Sequence, residues 1–354
     1  MARSEGLGAN VRVVEIRDQA EWNAAVLTAP QADLLQSWEW GAFKQQSGGW
    51  RPLRVAIFAG NEGEQPLAGA QVLARTALGA RFLYAPRGPW WNDARGLGAL
   101  ARWLRRTQRP LAPLVRADPA ISDPSALRAL GFRPAPRQFQ PRATIVVDLT
   151  PSPATILARF NGQVRYNARL AERKGVEIVE GGPDAVAAFW QLYANTAGRK
   201  RFEWRAESYF AQLMAAFGDA GRIFLARRDG EHLAGALVLL FGSTAYYLYG
   251  ASGGDRSVKP AEFLQYRAML WSKARGATSY DMWGIPAHPT EDNPLYGVYR
   301  FKSGFGGQER IYPGALDLPL IPLLPWAPGL AESLALKARS LARGQGFRIE
   351  DHLA

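Results

Sequence analysis

The chain has 354 residues, 47% of them hydrophobic, which gives room for two packed domains of ordinary size. It contains no cysteine, which excludes disulfides, thiolate metal sites and cysteine nucleophiles. A formal net charge of +12 favours polyanionic partners such as tRNA, nucleotide diphosphates or an anionic membrane surface. Residues 1–10 lack the apolar core of a signal peptide and the longest apolar run, 233–241, is too short to span a bilayer, so we expect a cytoplasmic protein.

The first part of the sequence predicts an α/β domain over residues 1–150. Its predicted elements are a strand at 11–16, helices at 18–25 and 36–44, a hairpin at 53–74 that turns at 61–63, a strand at 82–85, a helix at 97–106 and strands at 111–117 and 144–149. The run Thr150-Pro151-Ser152-Pro153 predicts the domain boundary, because clustered prolines interrupt regular structure.

A second α/β domain is predicted over residues 151–317. Its predicted elements are helices at 154–160 and 165–174, a strand at 176–180, helices at 183–197 and 206–217, a hairpin at Gly230, a strand at 246–249, a helix at 260–276, a strand at 279–285 and further β elements from Val298 onward. The remaining segment, 318–354, is Pro-rich and then predicts an amphipathic, basic helix at 330–343. We expect this helix to pack back on the first domain; peripheral contact with an anionic membrane is the alternative.

The two halves repeat one another. Leu67–Leu73 and Leu233–Leu239 each follow a polar turn, and each precedes a strand that carries a tyrosine, Tyr84 or Tyr249. A repeat of this length indicates a duplicated domain rather than a solenoid of short units. Two such domains create a cleft where they face each other, and we expect function there.

Arginines concentrate at 102–109, 165–174 and 199–205. In the second group Arg165, Arg169 and Arg173 recur every four residues and predict one basic helix face. That face is either an anion-binding surface or simply solvated.

Seven short strings occur in order along the chain. They are Gln36-x-Trp38 with Trp40-Gly41-x-x-Lys44; Tyr84-Ala85-Pro86-Arg87-Gly88-Pro89; Arg199–Arg205 with Tyr209-Phe210; Tyr247-x-Tyr249-Gly250-Ala251-Ser252; Lys259-Pro260; Tyr280-Asp281-x-x-Gly284; and Phe301-Lys302-Ser303-Gly304-Phe305-Gly306-Gly307. Together they resemble the FemABX family of aminoacyl-tRNA-dependent peptidyltransferases, which build peptidoglycan cross-bridges, over about residues 33–317.

The resemblance implies an α/β fold of two tandem N-acetyltransferase-like (GNAT) domains facing across a cleft. Some members carry a coiled-coil arm, but here Phe217–Gly221 joins a helix directly to a strand, as in an armless branch. The implied partners are aminoacyl-tRNA and a UDP-linked or lipid-linked muramyl pentapeptide bound by the first domain, with no DNA. The implied reaction is attack by the side-chain amine of the third stem-peptide residue on the aminoacyl ester, without a cofactor or metal.

The resemblance also implies the site residues. Lys302, with Phe301 beside it, is expected to supply a positive group where charge develops, unless it is a surface lysine next to a β-turn. The implied substrate-binding residues are Lys44, Tyr84, Arg87, Arg205, Tyr209 and Tyr249. Lys44 and Arg205 are candidate diphosphate clamps, and Tyr209 is expected to share a helix face with Arg205. The alternative for Tyr84 and Tyr249 is a role as core aromatics.

Asp93 is the candidate to orient or deprotonate the attacking amine, and a loop-capping aspartate is the alternative. Two other function classes stay open. A CoA-dependent N-acyltransferase would bind pyrophosphate on a Gly-rich turn, for which Arg95–Leu100 is the best match. A non-catalytic RNA-binding protein would use the +12 charge alone.

Overall fold

The structure, a computed structural model, describes residues 11–60, 65–77, 80–109, 111–200, 205–255 and 257–321. These residues form two compact units, the first made of 11–140 with 312–321 and the second of 141–311. The predicted tail helix at 330–343 and the turn at 61–63 lie outside the described residues.

The first unit mixes helices and strands in the predicted order. Its elements are β1 (Val11–Glu15), α1 (Gln19–Leu27), α2 (Trp38–Gly48), β2 (Arg51–Ala59), β3 (Ala68–Ala77), β4 (Ala80–Arg87), β5 (Trp90–Trp91), α3 (Ala94–Gln108), β6 (Leu114–Pro119), α4 (Ser125–Ala129) and β7 (Arg133–Pro134). The longest helix of this unit, α3, is capped by the Asp93 side chain and packs Leu97, Leu100 and Leu104 into the core over the sheet.

The second unit has the same mixture. Its elements are β8 (Ala143–Asp148), α5 (Pro153–Arg159), α6 (Gly162–Arg173), β9 (Glu177–Gly181), α7 (Val186–Lys200), α8 (Glu207–Phe217), β10 (Gly221–Arg228), β11 (Glu231–Phe241), β12 (Thr244–Ser252), α9 (Pro260–Ala274), β13 (Ser279–Ile285), α10 (Tyr296–Ser303) and β14 (Gln308–Ile311). The chain then adds β15 (Leu316–Pro319) to the sheet of the first unit. Between α8 and β10 only a single 3-10 turn intervenes.

The two sheets have the same strand order, which explains the sequence repeat. The first runs β1-β2-β3-β4-β6-β15-β7, and the second runs β9-β10-β11-β12-β13-β8-β14. In each sheet a single parallel pair, β4 with β6 or β12 with β13, is flanked by antiparallel pairs. A helix, α3 or α9, makes the crossover that a parallel pair requires. The predicted α/β class with a duplicated layout is confirmed.

The boundary between the units differs from the predicted one. β8 precedes the predicted break at Thr150–Pro153, yet it pairs with β13 and β14 of the second sheet. Conversely, β15 lies C-terminal to the second unit and pairs with β6 and β7 of the first. Each sheet therefore contains one strand from the far side of the proline-rich run. The amino-acid composition around that run does not indicate this exchange of strands.

The β elements expected from Val298 onward are present as β14 and β15, but they begin only at Gln308. Residues Tyr296–Ser303 form the helix α10, which ends at Gly304 before the chain enters β14. Arg95–Leu100, the best match for the phosphate-binding turn of the CoA-dependent alternative, is helical because it lies inside α3. No helix in the described ranges is long and apolar enough to cross a membrane.

Candidate active site

The second sheet opens at its parallel pair. β12 and β13 pair only through Thr244–Tyr246 and Ser279–Asp281, although both strands continue well beyond. In the first sheet the equivalent strands β4 and β6 stay paired through five consecutive positions, to Arg87 opposite Pro119. We call the space between Tyr247–Ser252 and Met282–Ile285 the β12/β13 gap.

Both strands are irregular where the gap begins. β12 shifts register against β11 around Leu248, and β13 shifts register against β8 between Asp281 and Gly284. Trp283, inside the second irregularity, has a φ of 63°, a backbone conformation that costs energy for any residue with a side chain. Bulges of this kind turn strands away from each other and are common beside functional sites.

Lys302 places its ammonium group in this gap. Its Nζ donates a hydrogen bond to the main-chain oxygen of Gly284 on β13, 2.8 Å away. On the other side, the centroid of the Tyr247 ring on β12 lies 5.7 Å from Nζ, within range of a cation–π interaction. The side chain is buried, so the alternative of a surface lysine beside a turn is excluded.

Burial changes the acidity of this lysine. Desolvation lowers the pKa of Lys302 to about 7, against a weaker opposing effect of Asp281. Asp281 is held on β13 by the Thr144 hydroxyl and by the Trp283 amide, both of which donate to its Oδ1. A lysine with a pKa near neutrality can donate and recover a proton during a reaction.

Phe301 supports Lys302 from the core side. Its ring packs against Phe305 at 5.1 Å, and Phe305 in turn packs against Phe160 at 5.0 Å. Gly304 fits closely against the start of α6, where an added β-carbon would lie 2.5 Å from Val164. The end of α10 is therefore fixed in position by packing, and Phe301 is a supporting residue in this geometry.

The other predicted residues of the second unit cluster around Tyr249. The hydroxyl groups of Tyr209 and Tyr249 lie 2.8 Å apart, and the Arg205 guanidinium lies 5.3 Å from the centroid of the Tyr209 ring. Arg205 precedes α8, so the expectation of a shared helix face was wrong, although the two residues are neighbours. Tyr249 is only partly exposed and packs edge-on to Phe210.

In the first unit, Lys44 and Arg87 lie among aromatic rings. The Lys44 Nζ lies 4.7 Å from the centroid of the Trp40 ring, on α2. Arg87 is buried, has a φ of 54° and stacks over Tyr312 with its guanidinium carbon 4.2 Å from the ring centroid. Both cations thus lie against aromatic rings.

Tyr84 lies next to a buried acid that the sequence analysis did not identify. Tyr84 is buried on β4, and its hydroxyl accepts a hydrogen bond from Gln140 at 3.1 Å. Burial and the neighbouring Asp118 raise the pKa of Tyr84 above its usual value. Asp118 stands near the end of β6, in register with Pro86 of β4.

Asp118 is unusual because its carboxylate is buried close to the Tyr84 hydroxyl and to the charges of Arg87 and Arg116. It is 2% exposed, and among the described residues no donor meets either of its oxygens in hydrogen-bonding geometry. Desolvation raises the pKa of Asp118 to about 6, although the nearby Tyr84 hydroxyl and the charges of Arg87 and Arg116 oppose this shift. Such a group is costly unless something binds it, and this makes Asp118 a candidate contact for a ligand cation or N–H donor.

Asp93, by contrast, has a structural role. Its side chain accepts from the Arg95 amide at the start of α3 and forms an ion pair with the Arg95 guanidinium at 2.9 Å. These contacts lower the pKa of Asp93, which makes it a weaker base. The geometry favours the helix-capping alternative over the catalytic one.

The comparisons with known proteins agree with the family resemblance seen in the sequence. The family model described as "FemAB family" matches residues 130–231 and 226–332, together more than half of the 354 residues. The chain belongs to the FemAB family. Among its relatives is a lipid II:glycine glycyltransferase of Staphylococcus saprophyticus, 26% identical, with 83% of this chain and 89% of the relative covered.

Two further matches extend over nearly the whole chain. A lipid II:glycine glycyltransferase of Staphylococcus aureus (strain USA300) is 25% identical, with 91% of this chain and 98% of the relative covered. The crystal structure of FemX superposes with a TM-score of 0.81 at 23% identity, covering 91% of this chain and 99% of FemX. The fold of this FemAB member is therefore that of FemX, with two α/β units.

Proposed function

We propose that this FemAB member transfers an amino acid from aminoacyl-tRNA to the side-chain amine of the third stem-peptide residue of a peptidoglycan precursor. The observation that carries the proposal is the buried Lys302 ammonium in the β12/β13 gap. Family membership and the similarity to lipid II:glycine glycyltransferases support the substrate class. A lipid-linked acceptor would bring the protein to the cytoplasmic face of the membrane.

The reaction is the aminolysis of an ester. The acceptor amine attacks the ester carbonyl, a C–N bond forms, the bond to the ribose oxygen breaks, and that oxygen takes up a proton. The ester is already activated, so the protein mainly positions the reactants and stabilises developing charge. Lys302 donates its proton to the departing oxygen and, with a pKa of about 7, recovers one from the former amine nitrogen, which becomes positively charged when the C–N bond forms.

The donor ester belongs in the β12/β13 gap of the second unit. Beyond Tyr246 and Asp281 the two strands no longer bond to each other, so their main-chain groups are available to flank an extended ligand. Gly250 on β12 has no room for a β-carbon because the Tyr247 hydroxyl passes over it. This packing keeps the Tyr247 ring beside Lys302.

The acceptor belongs to the first unit. Asp118 offers a buried carboxylate, which no donor among the described residues meets in hydrogen-bonding geometry, to an ammonium group or amide of the muropeptide. Lys44 remains the candidate diphosphate clamp of this unit, with Arg87 and Tyr84 as further binding residues. In the second unit, Arg205 remains a candidate clamp, with Tyr209 and Tyr249 as further binding residues. Cations held beside aromatic rings lose less side-chain entropy when they bind a phosphate.

A transfer assay with two donors tests the proposal. Purified protein receives a muramyl pentapeptide precursor, in UDP-linked and lipid-linked forms, with tRNA charged with labelled amino acids or with labelled acetyl-CoA. We expect label to enter the precursor from charged tRNA and to be lost after RNase treatment. Labelling from acetyl-CoA in place of tRNA would favour a CoA-dependent acyltransferase and refute the proposal.

A further inference from the structure

We propose that the outward face of α6 and α9 binds the RNA of the donor; this inference rests on the proposed function. The face, called the α6/α9 basic face, consists of Tyr166, Arg169, Arg173 and Lys174 on and after α6, and Arg267 on α9. All five side chains are exposed. Helix α6 is basic but takes no part in the transfer chemistry described above, and RNA binding would be its function.

Helix geometry places the α6 members together. Val164, Asn167, Ala168 and Ala171 form the buried side of α6. Tyr166, Arg169 and Arg173 follow at spacings of three and four residues on the opposite side. The Arg173 guanidinium lies 6.0 Å from the centroid of the Tyr166 ring. A ring and two guanidinium groups therefore share one exposed surface.

α9 continues this surface because it packs along α6. Asn167 donates a hydrogen bond to Glu262, which joins the two helices at 2.8 Å. Arg169 of α6 and Arg267 of α9 both lie close enough to Tyr266 to lower its pKa, while burial and Glu172 raise it. The two arginines, on neighbouring helices, therefore both lie near Tyr266.

The cations on this face are available to a ligand. Within the described ranges, Arg169, Arg173, Lys174 and Arg267 form no ion pair, whereas Arg159 and Arg227 of the same unit are paired with Asp148 and Glu177. Unpaired arginines on an exposed face cost little in water and gain counterion release when they meet phosphates. Glu172 is the exposed acid on these two helices.

Tyr166 favours RNA over other polyanions. It is 54% exposed, one of the few large hydrophobic side chains so placed. An aromatic ring flanked by arginines is the arrangement that stacks an unpaired base while holding its backbone. The start of α6 also packs against Gly304, two residues beyond Lys302, which suits the single-stranded 3′ end of a charged tRNA.

Binding of uncharged tRNA and transfer kinetics test the inference separately. The variant R169E/R173E should bind tRNA at least 10-fold more weakly and show a salt dependence reduced by about two phosphate contacts. Its KM for charged tRNA should rise by the same factor with little change in kcat. Y166A should weaken binding about 5- to 20-fold and Y166F should restore it, since the phenyl ring still stacks.

The control is R12E/R128E, which makes the same change in net charge on two exposed arginines of the first unit. It should leave tRNA affinity within about twofold of the wild-type value.

Unchanged tRNA affinity and KM in R169E/R173E would overturn the inference even if the wild-type protein transfers amino acids. Loss of binding to anionic phospholipid vesicles, with RNA binding retained, would also overturn it in favour of a membrane surface. If the wild-type protein fails to transfer amino acids but R169E/R173E still binds tRNA more weakly than wild type, the proposed function is refuted and this inference stands.

Discussion

Lys302 reaches across the opened parallel pair of the second sheet to the carbonyl oxygen of Gly284, with 2.8 Å between Nζ and that oxygen. Gly284 lies beyond Asp281, the last residue of β13 that pairs with β12, on the side where the parallel ladder has ended. A single neutral acceptor does not compensate a buried ammonium group fully, and its pKa falls accordingly. The site thus holds a lysine that loses its proton near neutral pH.

Removal of the Lys302 amino group should affect chemistry more than binding. We expect Lys302→Met to lower kcat about 10²- to 10³-fold, because a charge-stabilising donor is lost, while the Kd for the muropeptide changes less than about threefold. Single-turnover transfer and isothermal titration measure the two quantities. Lys273→Met removes a half-buried lysine of the same unit that donates to Leu149 and Thr150, and serves as the control. Equal losses in kcat and affinity for Lys302→Met would make Lys302 a binding residue.

The pH profile should carry the signature of the lowered pKa. The acceptor is an aliphatic amine with a pKa near 10, so its reactive neutral fraction rises tenfold per pH unit. The protonated fraction of Lys302 falls tenfold per unit above its pKa of about 7. We therefore expect kcat/KM to rise up to about pH 7 and then to level off, whereas Lys302→Met continues to rise up to pH 8.5. A profile with the same shape in both proteins would contradict the proton-donor role.

The two candidate acids of the first unit should respond differently to amidation. Asp118→Asn removes the charge that we assign to acceptor binding and should lower kcat/KM about 10- to 100-fold. Asp93→Asn keeps a helix-capping residue and should stay within about twofold of wild type. Steady-state transfer assays compare them directly. Loss of activity in Asp93→Asn with Asp118→Asn unaffected would restore the role predicted from sequence.

Asp118 should also make stability depend on pH. Its pKa in the folded protein is about 6, above the ordinary value of 3.8, so the folded state binds more protons than the unfolded state between these values. The free energy of unfolding should therefore fall as pH rises from 4 to 6, by up to about 1.4 kcal/mol per unit from this group. Urea unfolding of wild type and Asp118→Asn across this range measures the difference, which should be largest at pH 6 and above. A constant difference would show that Asp118 titrates normally.

The return of β15 to the first sheet should depend on one buried ion pair. Arg116 on β6 is 1% exposed and bonds Asp317 on β15 through two parallel contacts, Nε to Oδ1 at 2.8 Å and Nη2 to Oδ2 at 2.9 Å. Asp317→Asn should destabilise the protein by up to about 3–5 kcal/mol, because it removes the carboxylate that forms both parallel contacts with a buried arginine. The double variant Arg116→Met/Asp317→Leu should lose less than the sum of the single changes. Strict additivity in denaturant unfolding would show that the pair is not coupled.

The duplicated layout could be predicted from sequence because each strand and helix carries its own local pattern. The hairpins, the crossover helices and most element bounds followed from alternation, turns and caps. The exchange of β8 and β15 between the sheets could not be predicted, because both strands pair with residues far away in sequence. The helix α10 was missed because eight residues rich in aromatics, Tyr296–Ser303, also fit a strand.

The site residues that belong to a sequence motif could be predicted, whereas those whose role depends on burial could not. Lys302 stood out through its string of neighbours, but nothing local indicates that its amine is buried or that its pKa is lowered. Asp93 and Asp118 both come at or just after the end of a strand, so their positions in the sequence offer no ground for choosing between them. The choice rests on contacts: Arg95 satisfies one, and the other has no hydrogen-bond partner among the described residues.

The measurement that tests the central claim most directly is tandem mass spectrometry of the reaction product. The protein is incubated with charged tRNA and the muramyl pentapeptide precursor, alongside Lys302→Met. We predict that the wild-type product gains the mass of one amino-acid residue on the side chain of the third stem-peptide residue, and that Lys302→Met yields little of it. A product modified elsewhere, or an equal yield from Lys302→Met, would contradict the account.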